Sequence, residues 1–148
     1  MDVKYACFTS IPETKILNGI LRLHNRIFGD SANLVKQMES RPGLLMIVAM
    51  ERDKVIGFKI GYKVNDEEFY SWLGGVDESY RGNGIATKLM EIQHHYLSEN
   101  RFRVVQTKTK NKWRNMLILN IKNGFVVIGT YTDERGEPKI ILQKKLFD

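Results

Sequence analysis

The amino-acid sequence predicts a single α/β domain: a mixed, mostly antiparallel sheet with helices on its faces. Three observations predict it. Apolar residues recur at helical spacing in some segments and with a period of two in others, along the whole chain. Three strand-like runs between residues 44 and 76 are joined by connections short enough for an antiparallel meander. A helix of roughly 15 residues then separates the third run from a fourth, which makes that last pair parallel.

The elements follow in order. Ser10-Ile11-Pro12-Glu13 has the capping-box pattern, so a first helix is expected to start there. Ile16, Leu17, Ile20, Leu21, Ile27 and Phe28 continue it, and Gly29 is placed to end it. A short helix with Leu34, Val35 and Met38 ends at Arg41-Pro42-Gly43. Leu44 to Met50 is a continuous apolar run. In the next strand Ile56, Phe58, Ile60, Tyr62 and Val64 alternate with Gly57, Lys59, Gly61 and Lys63, which predicts one packed and one wetter face. Asn65-Asp66-Glu67 turns into a strand from Phe69 to Val76. The helix from about Gly84 to Asn100 carries Ile85, Leu89, Ile92 and Tyr96 as its apolar stripe. Phe102 to Lys108 reads as a strand and Lys112 to Lys122 as a helix. Phe125 to Thr132 and Lys139 to Phe147 close the chain as a hairpin.

Composition narrows the functional classes. The 148 residues suit one domain, residues 1–148, and the 43% apolar and 27% charged fractions are those of an ordinary globular protein. No apolar run approaches the roughly 18–20 residues that span a bilayer, and Met1-Asp2-Val3-Lys4 lacks a signal-peptide layout. The one cysteine, Cys7, cannot form an internal disulfide and reads as a buried apolar filler. These features point to the cytoplasm, with no membrane partner. The net charge of +6 favours polyanionic ligands, but no recognition helix or aromatic-basic strand motif supports nucleic acid. Three scattered histidines and one cysteine suggest no metal site.

The chemistry is concentrated in Gly74-Gly75-Val76-Asp77-Glu78-Ser79-Tyr80-Arg81-Gly82-Asn83-Gly84-Ile85-Ala86-Thr87. A strand ends, a turn follows, and a helix begins inside a glycine-rich segment. The first amides of a helix lack internal partners and carry the positive end of its dipole, and phosphate oxygens satisfy both. Gly82 and Gly84 permit an anion-cupping path. Thr87 adds a hydroxyl and Arg81 a charge. A dinucleotide fingerprint is disfavoured because the third glycine is missing and residues 101–106 contain no acid. A Walker loop is excluded by the absence of Gly-Lys-Ser/Thr.

Arg81-x-x-Gly84-x-Ala86, after Gly-Gly-Val and before an amphipathic helix, resembles the signature of the GNAT acyltransferases. Met116-Leu117-Ile118-Leu119-Asn120-Ile121-Lys122-Asn123-Gly124-Phe125 resembles the family's fourth helix and following strand, and the order of elements matches over about residues 3–147. The resemblance implies a GNAT-like fold with a splayed parallel strand pair, and acetyl-CoA as acyl donor. Gly74, Val76 and Asp77 would flank the pantetheine arm, and Gly74-Gly75 would form a bulge that opens the splay. Arg81, Gly82, Asn83, Gly84, Ile85, Ala86 and Thr87 would hold the pyrophosphate, with Lys88 nearby. Lys108, Lys110, Lys112 and Arg114 are candidates for the adenosine phosphate, and equally for a solvated face.

The same resemblance implies direct transfer of an acetyl group to an amine, which needs a base, oxyanion donors near Gly74 and a group for the departing thiolate. Many relatives supply the last from a tyrosine where this chain has Asn120, which can donate a hydrogen bond but not a proton. Trp113 replaces a family asparagine, whose cofactor contact falls to Asn111 or Asn115. Glu68 is the candidate base, two residues before the position used in some relatives. His24, His94 and His95 read as surface or helix-edge residues. Tyr62, Tyr70 and Trp72 are candidates for lining an acceptor pocket. The acceptor would be a small-molecule or peptide amine, and a homodimer is left open. The alternative is a non-catalytic acyl-CoA sensor, motivated by the missing tyrosine.

Overall fold

The structure, a computed structural model, describes residues 1–147. Asp148, the last residue of the expected domain, lies outside the described residues. Seven strands form one sheet in the order β1-β2-β3-β4-β5-β7-β6. They are β1 (Val3–Phe8), β2 (Leu45–Glu51), β3 (Lys54–Lys63), β4 (Glu68–Val76), β5 (Val104–Lys110), β6 (Val126–Thr132) and β7 (Pro138–Lys145). The helices are α1 (Thr14–Phe28), α2 (Leu34–Glu39), α3 (Ile85–Glu99) and α4 (Arg114–Lys122). No described helix is long and apolar enough to cross a membrane.

The meander β2–β3–β4 is antiparallel and β4 pairs parallel to β5, as the connection lengths require. Two features depart from expectation at the N-terminus. Val3–Phe8 is an edge strand on β2, which the sequence reading did not separate. Helix α1 starts at Thr14 with Glu13 as its cap residue, and no side chain caps it. The capping box at Ser10 does not form. It would put Pro12 in the second helical position, and a residue before proline is pushed out of the helical region.

Both faces of the sheet are covered. Ile20, Leu23, Met38, Phe58 and Ile60 form a cluster with α1 and α2, while Ile47, Phe69, Leu89, Val105 and Leu142 form one with α3. The wetter face expected for β3 is therefore absent at Gly57, which is buried with Ile85 and Leu89 packed over it. Helix α3 buries a wider stripe than its aliphatic residues marked, including Met90, Gln93, His94 and Leu97. His94 and His24 are both buried, against expectation, each lying four residues after a core residue, Met90 or Ile20. Cys7 is exposed on the edge strand rather than buried.

The feature that makes the site is the end of the β4–β5 ladder. The two strands pair only from Glu68↔Val104 to Ser71↔Thr107, although β4 runs on to Val76 and β5 to Lys110. Thr107 closes the last rung by donating its hydroxyl to the Ser71 carbonyl at 2.9 Å. The bulge lies at Trp72, between the pairs Gly61↔Ser71 and Ile60↔Leu73, and so earlier than the expected Gly74-Gly75. Gly61 admits it, because a β-carbon there would collide with the Phe69 ring and the Tyr70 carbonyl.

Candidate active site

Helix α3 begins beside the parted strands. Its cap residue, Gly84, has φ +76° and no side-chain cap; Gly82 has φ +81°. A β-carbon at either would meet nothing within 4 Å, so the glycines serve backbone conformation and leave the approach open. The first helical bond here runs from the Lys88 amide to the Gly84 carbonyl, so the amides of Ile85, Ala86 and Thr87 precede any helical partner. The loop is held from beneath. Asn83 donates its side-chain amide to the Tyr80 carbonyl at 2.9 Å, and Arg81 donates Nε to the Val76 carbonyl at 3.3 Å. This uncapped, glycine-lined helix end fits a diphosphate.

Asp77 has a different task. Its buried carboxylate accepts from the Ser79 amide at 2.9 Å and pairs with Arg26 at 3.2 Å and Lys54 at 3.6 Å. Burial raises its pKa, but the Ser79 amide, Lys54 and Arg26 together hold it below the usual value. The side chain is spent tying the loop to α1 and β3, which leaves only its backbone for a cofactor.

A cleft at the end of β4 is lined by Gly74, Gly75 and Val76, by Phe58 and Lys59 of β3, by Ala86 and Leu89 of α3, and by Met116 and Leu119 of α4. It is a shallow cleft open to solvent, with mostly apolar walls. Lys59 forms part of its floor, a residue the sequence reading assigned to a wet face. Its Nζ comes within 3.8 Å of where a Gly74 β-carbon would stand. Lys59 is half-buried, and desolvation by the surrounding protein pushes its pKa down to about 8. No salt bridge partners it among the described residues. The only earlier signal was a lysine between two strand glycines.

Asn120 is buried on α4, and its backbone carbonyl accepts from the backbone amides of Asn123 and Phe125. On α3, His94 Nδ1 lies 3.1 Å from Lys144 Nζ, and its ring packs on Phe125 at 5.6 Å between centres. Burial, Lys144 and Lys59 push its pKa down to about 3, so the imidazole is neutral. With the Lys144 ammonium donating to Nδ1, the ring proton sits on Nε2, which is buried without a partner.

The structure does not bring Glu68 to the cleft. It is the first residue of β4, six positions from Gly74, on the order of 20 Å at strand rise. A base must come within hydrogen-bond reach of the proton it takes, directly or through water, so Glu68 does not serve by direct contact at Gly74. Asn115 is exposed on α4. Asn111 lines a second, larger cleft of about 270 Å³ with Lys110, Lys112 and Arg114, where Glu137 pairs with Lys110 and Lys112. Lys108 lies apart, over the rings of Tyr70 and Tyr131. Trp113 packs on Phe28 at 5.7 Å between ring centres, joining the start of α4 to the end of α1.

A family model described as an acetyltransferase (GNAT) domain matches residues 42–127, more than half of the chain. The chain therefore belongs to the GNAT acetyltransferase family, a class of acyltransferases. No curated protein matches its sequence. Solved structures share the fold at low identity. Ard1 from Thermoplasma volcanium has a TM-score of 0.85 at 17% identity, covering 99% of each chain. The ribosomal-protein-S18-alanine N-acetyltransferase from Escherichia coli has 0.81 at 18%, covering 98% of this chain and 96% of that one. An aminoglycoside 6'-N-acetyltransferase complexed with coenzyme A has 0.79 at 15%, covering 97% and 98%.

Proposed function

We propose that this protein is an N-acetyltransferase that moves an acetyl group from acetyl-CoA directly to a primary amine held in the same complex. One observation supports the reading: the first turn of α3, uncapped at Gly84, shares a cleft with Gly74 to Val76, the part of β4 that runs on past its pairing with β5. Acetyl-CoA, when bound, supplies the acetyl group as a thioester and leaves as the thiol. The backbone of Gly82 to Thr87 binds the diphosphate, Arg81 and Lys88 add charge, and the β4 backbone from Gly74 to Val76 orients the arm. The Lys59 ammonium and the Asn120 amide stabilise negative charge that develops in the cleft. A cleft lining without a carboxylate favours an acceptor that releases its proton through water. The exposed Cys7 thiol suits a reducing compartment, the cytoplasm.

Calorimetry with CoA, followed by thiol release from acetyl-CoA against a panel of amines, tests the reading. Micromolar binding and amine-dependent release are expected. The missing tyrosine acid favours the rival, an acyl-CoA sensor. Tight binding with no release by any amine would select that rival.

A further inference from the structure

Where β4 and β5 part, the sheet carries a second set of side chains on its α1–α2 face. Trp72, the bulged residue just past the last rung, packs against the α1–α2 cluster. Its ring meets Tyr62 at 5.8 Å, and Tyr62 meets Tyr70 at 5.5 Å, both edge to face. Two cations sit on this chain of rings. The Arg41 guanidinium lies 4.6 Å from the Tyr62 centroid and 5.0 Å from that of Trp72. Lys108, the first residue of β5 past the last rung, lies 5.7 Å from Tyr70 and 5.4 Å from Tyr131.

Neither cation has a carboxylate within ion-pair distance among the described residues. Arg41 Nε is buried with no hydrogen-bond partner. A ring face attracts a cation weakly and leaves its N–H groups without acceptors. Burial, reinforced by Tyr62 and Tyr131, pushes the Tyr70 pKa up to about 12, so its phenol stays a neutral donor. The surface therefore offers several donors, flat apolar rings and two positive charges, neither of them paired with a carboxylate among the described residues. A polycationic amine brought here would meet like charge. An amine that also bears an anionic group would pair with the guanidinium, which matches a carboxylate with two parallel N–H groups.

We propose that the acceptor is an amine carrying a carboxylate, held by Arg41 and Lys108 on this aromatic face with its amino group directed to the gap between β4 and β5. The proposal rests on the acetyltransferase reading and adds the chemical class of the acceptor. It sets this chain apart from the structurally similar aminoglycoside acetyltransferase, whose named substrate is an amine-rich sugar.

The test uses the full chain with acetyl-CoA and follows thiol release. Amino carboxylates of varied length and side chain are compared with their uncharged amides, and with spermidine and an aminoglycoside. The expected result is at least a tenfold higher kcat/KM for an amino carboxylate than for its amide, a preference that Arg41→Met or Lys108→Met abolishes. CoA affinity, measured by calorimetry, should stay within about twofold in both variants, which also reports that they are folded. Preference for the amide or a polycation overturns the proposal while leaving the transferase reading standing. So does a carboxylate preference that survives both substitutions. Release from none of the amines, with CoA binding intact, overturns both.

Discussion

Lys59 Nζ comes within 3.8 Å of the point where a β-carbon on Gly74 would stand, which places an unpaired ammonium in the floor of the cleft. Desolvation lowers its pKa from 10.5 to about 8. The folded state thus resists protonation there more than the unfolded state does. The resulting destabilisation is complete below pH 8, fades as pH rises from 8 to 10.5, and is gone above that. Lys59→Met should therefore stabilise the fold at pH 7 by about 1–3 kcal/mol. Urea unfolding at pH 7 and near 10.5 checks this; an equal gain at both would remove the charge explanation. Turnover of the native chain should also fall as pH rises through 8, a limb that the variant lacks.

Gly84 holds a left-handed conformation with open space where a side chain would project. Gly84→Ala should cost about 1–2 kcal/mol of stability in backbone strain, and Gly84→Asn less, because asparagine tolerates that region. Gly84→Glu should leave the chain folded but reduce CoA affinity by at least about tenfold, the effect of a carboxylate competing for the same amides. Thermal melts and calorimetry separate the two effects. Undiminished CoA affinity in Gly84→Glu would count against the diphosphate site.

Asp77 joins the loop before α3 to α1 and β3 through Arg26 and Lys54. Removing its charge leaves the Ser79 amide and two cations less satisfied, so Asp77→Asn should cost about 1–3 kcal/mol at pH 7. Its depressed pKa means that this stability is present above the unfolded carboxyl pKa and is lost as pH falls through the folded one. Native and variant stabilities should converge in acid. A constant difference down to pH 2 would show that shape, not charge, is what the residue contributes.

Asn120 is buried near the end of α4, at the position where the family resemblance implies a tyrosine. Asn120→Ala is expected to lower kcat by about tenfold or more while changing CoA affinity by less than about threefold, the signature of an interaction made mainly in the transition state. Steady-state kinetics beside calorimetry tests it. Equal losses in both would make Asn120 a packing or binding residue.

Much of this was legible in the residues. The meander, the parallel β4–β5 pair and the helix start at Gly84-Ile85 follow from period, connection length and glycine placement. The edge strand Val3–Phe8 was not, because six residues with mixed exposure carry little alternation to read. Nor was the failure of the Ser10 capping box, where Pro12 acts through the residue before it. Glu68 looked usable because strand parity says which face a side chain is on, but not how far along the strand the chemistry lies.

The sequence by itself determined the meander and the glycine-rich turn that opens α3, since those depend on interactions within a few residues. Only the tertiary structure decided which groups share the cleft. Lys59 is 15 residues before Gly74 and far from Met116 and Leu119 in the chain, and Arg41 meets Lys108's aromatic neighbours only through the packed sheet. Burial then set their charge states, because desolvation depends on everything packed around a group, and no window of sequence contains that.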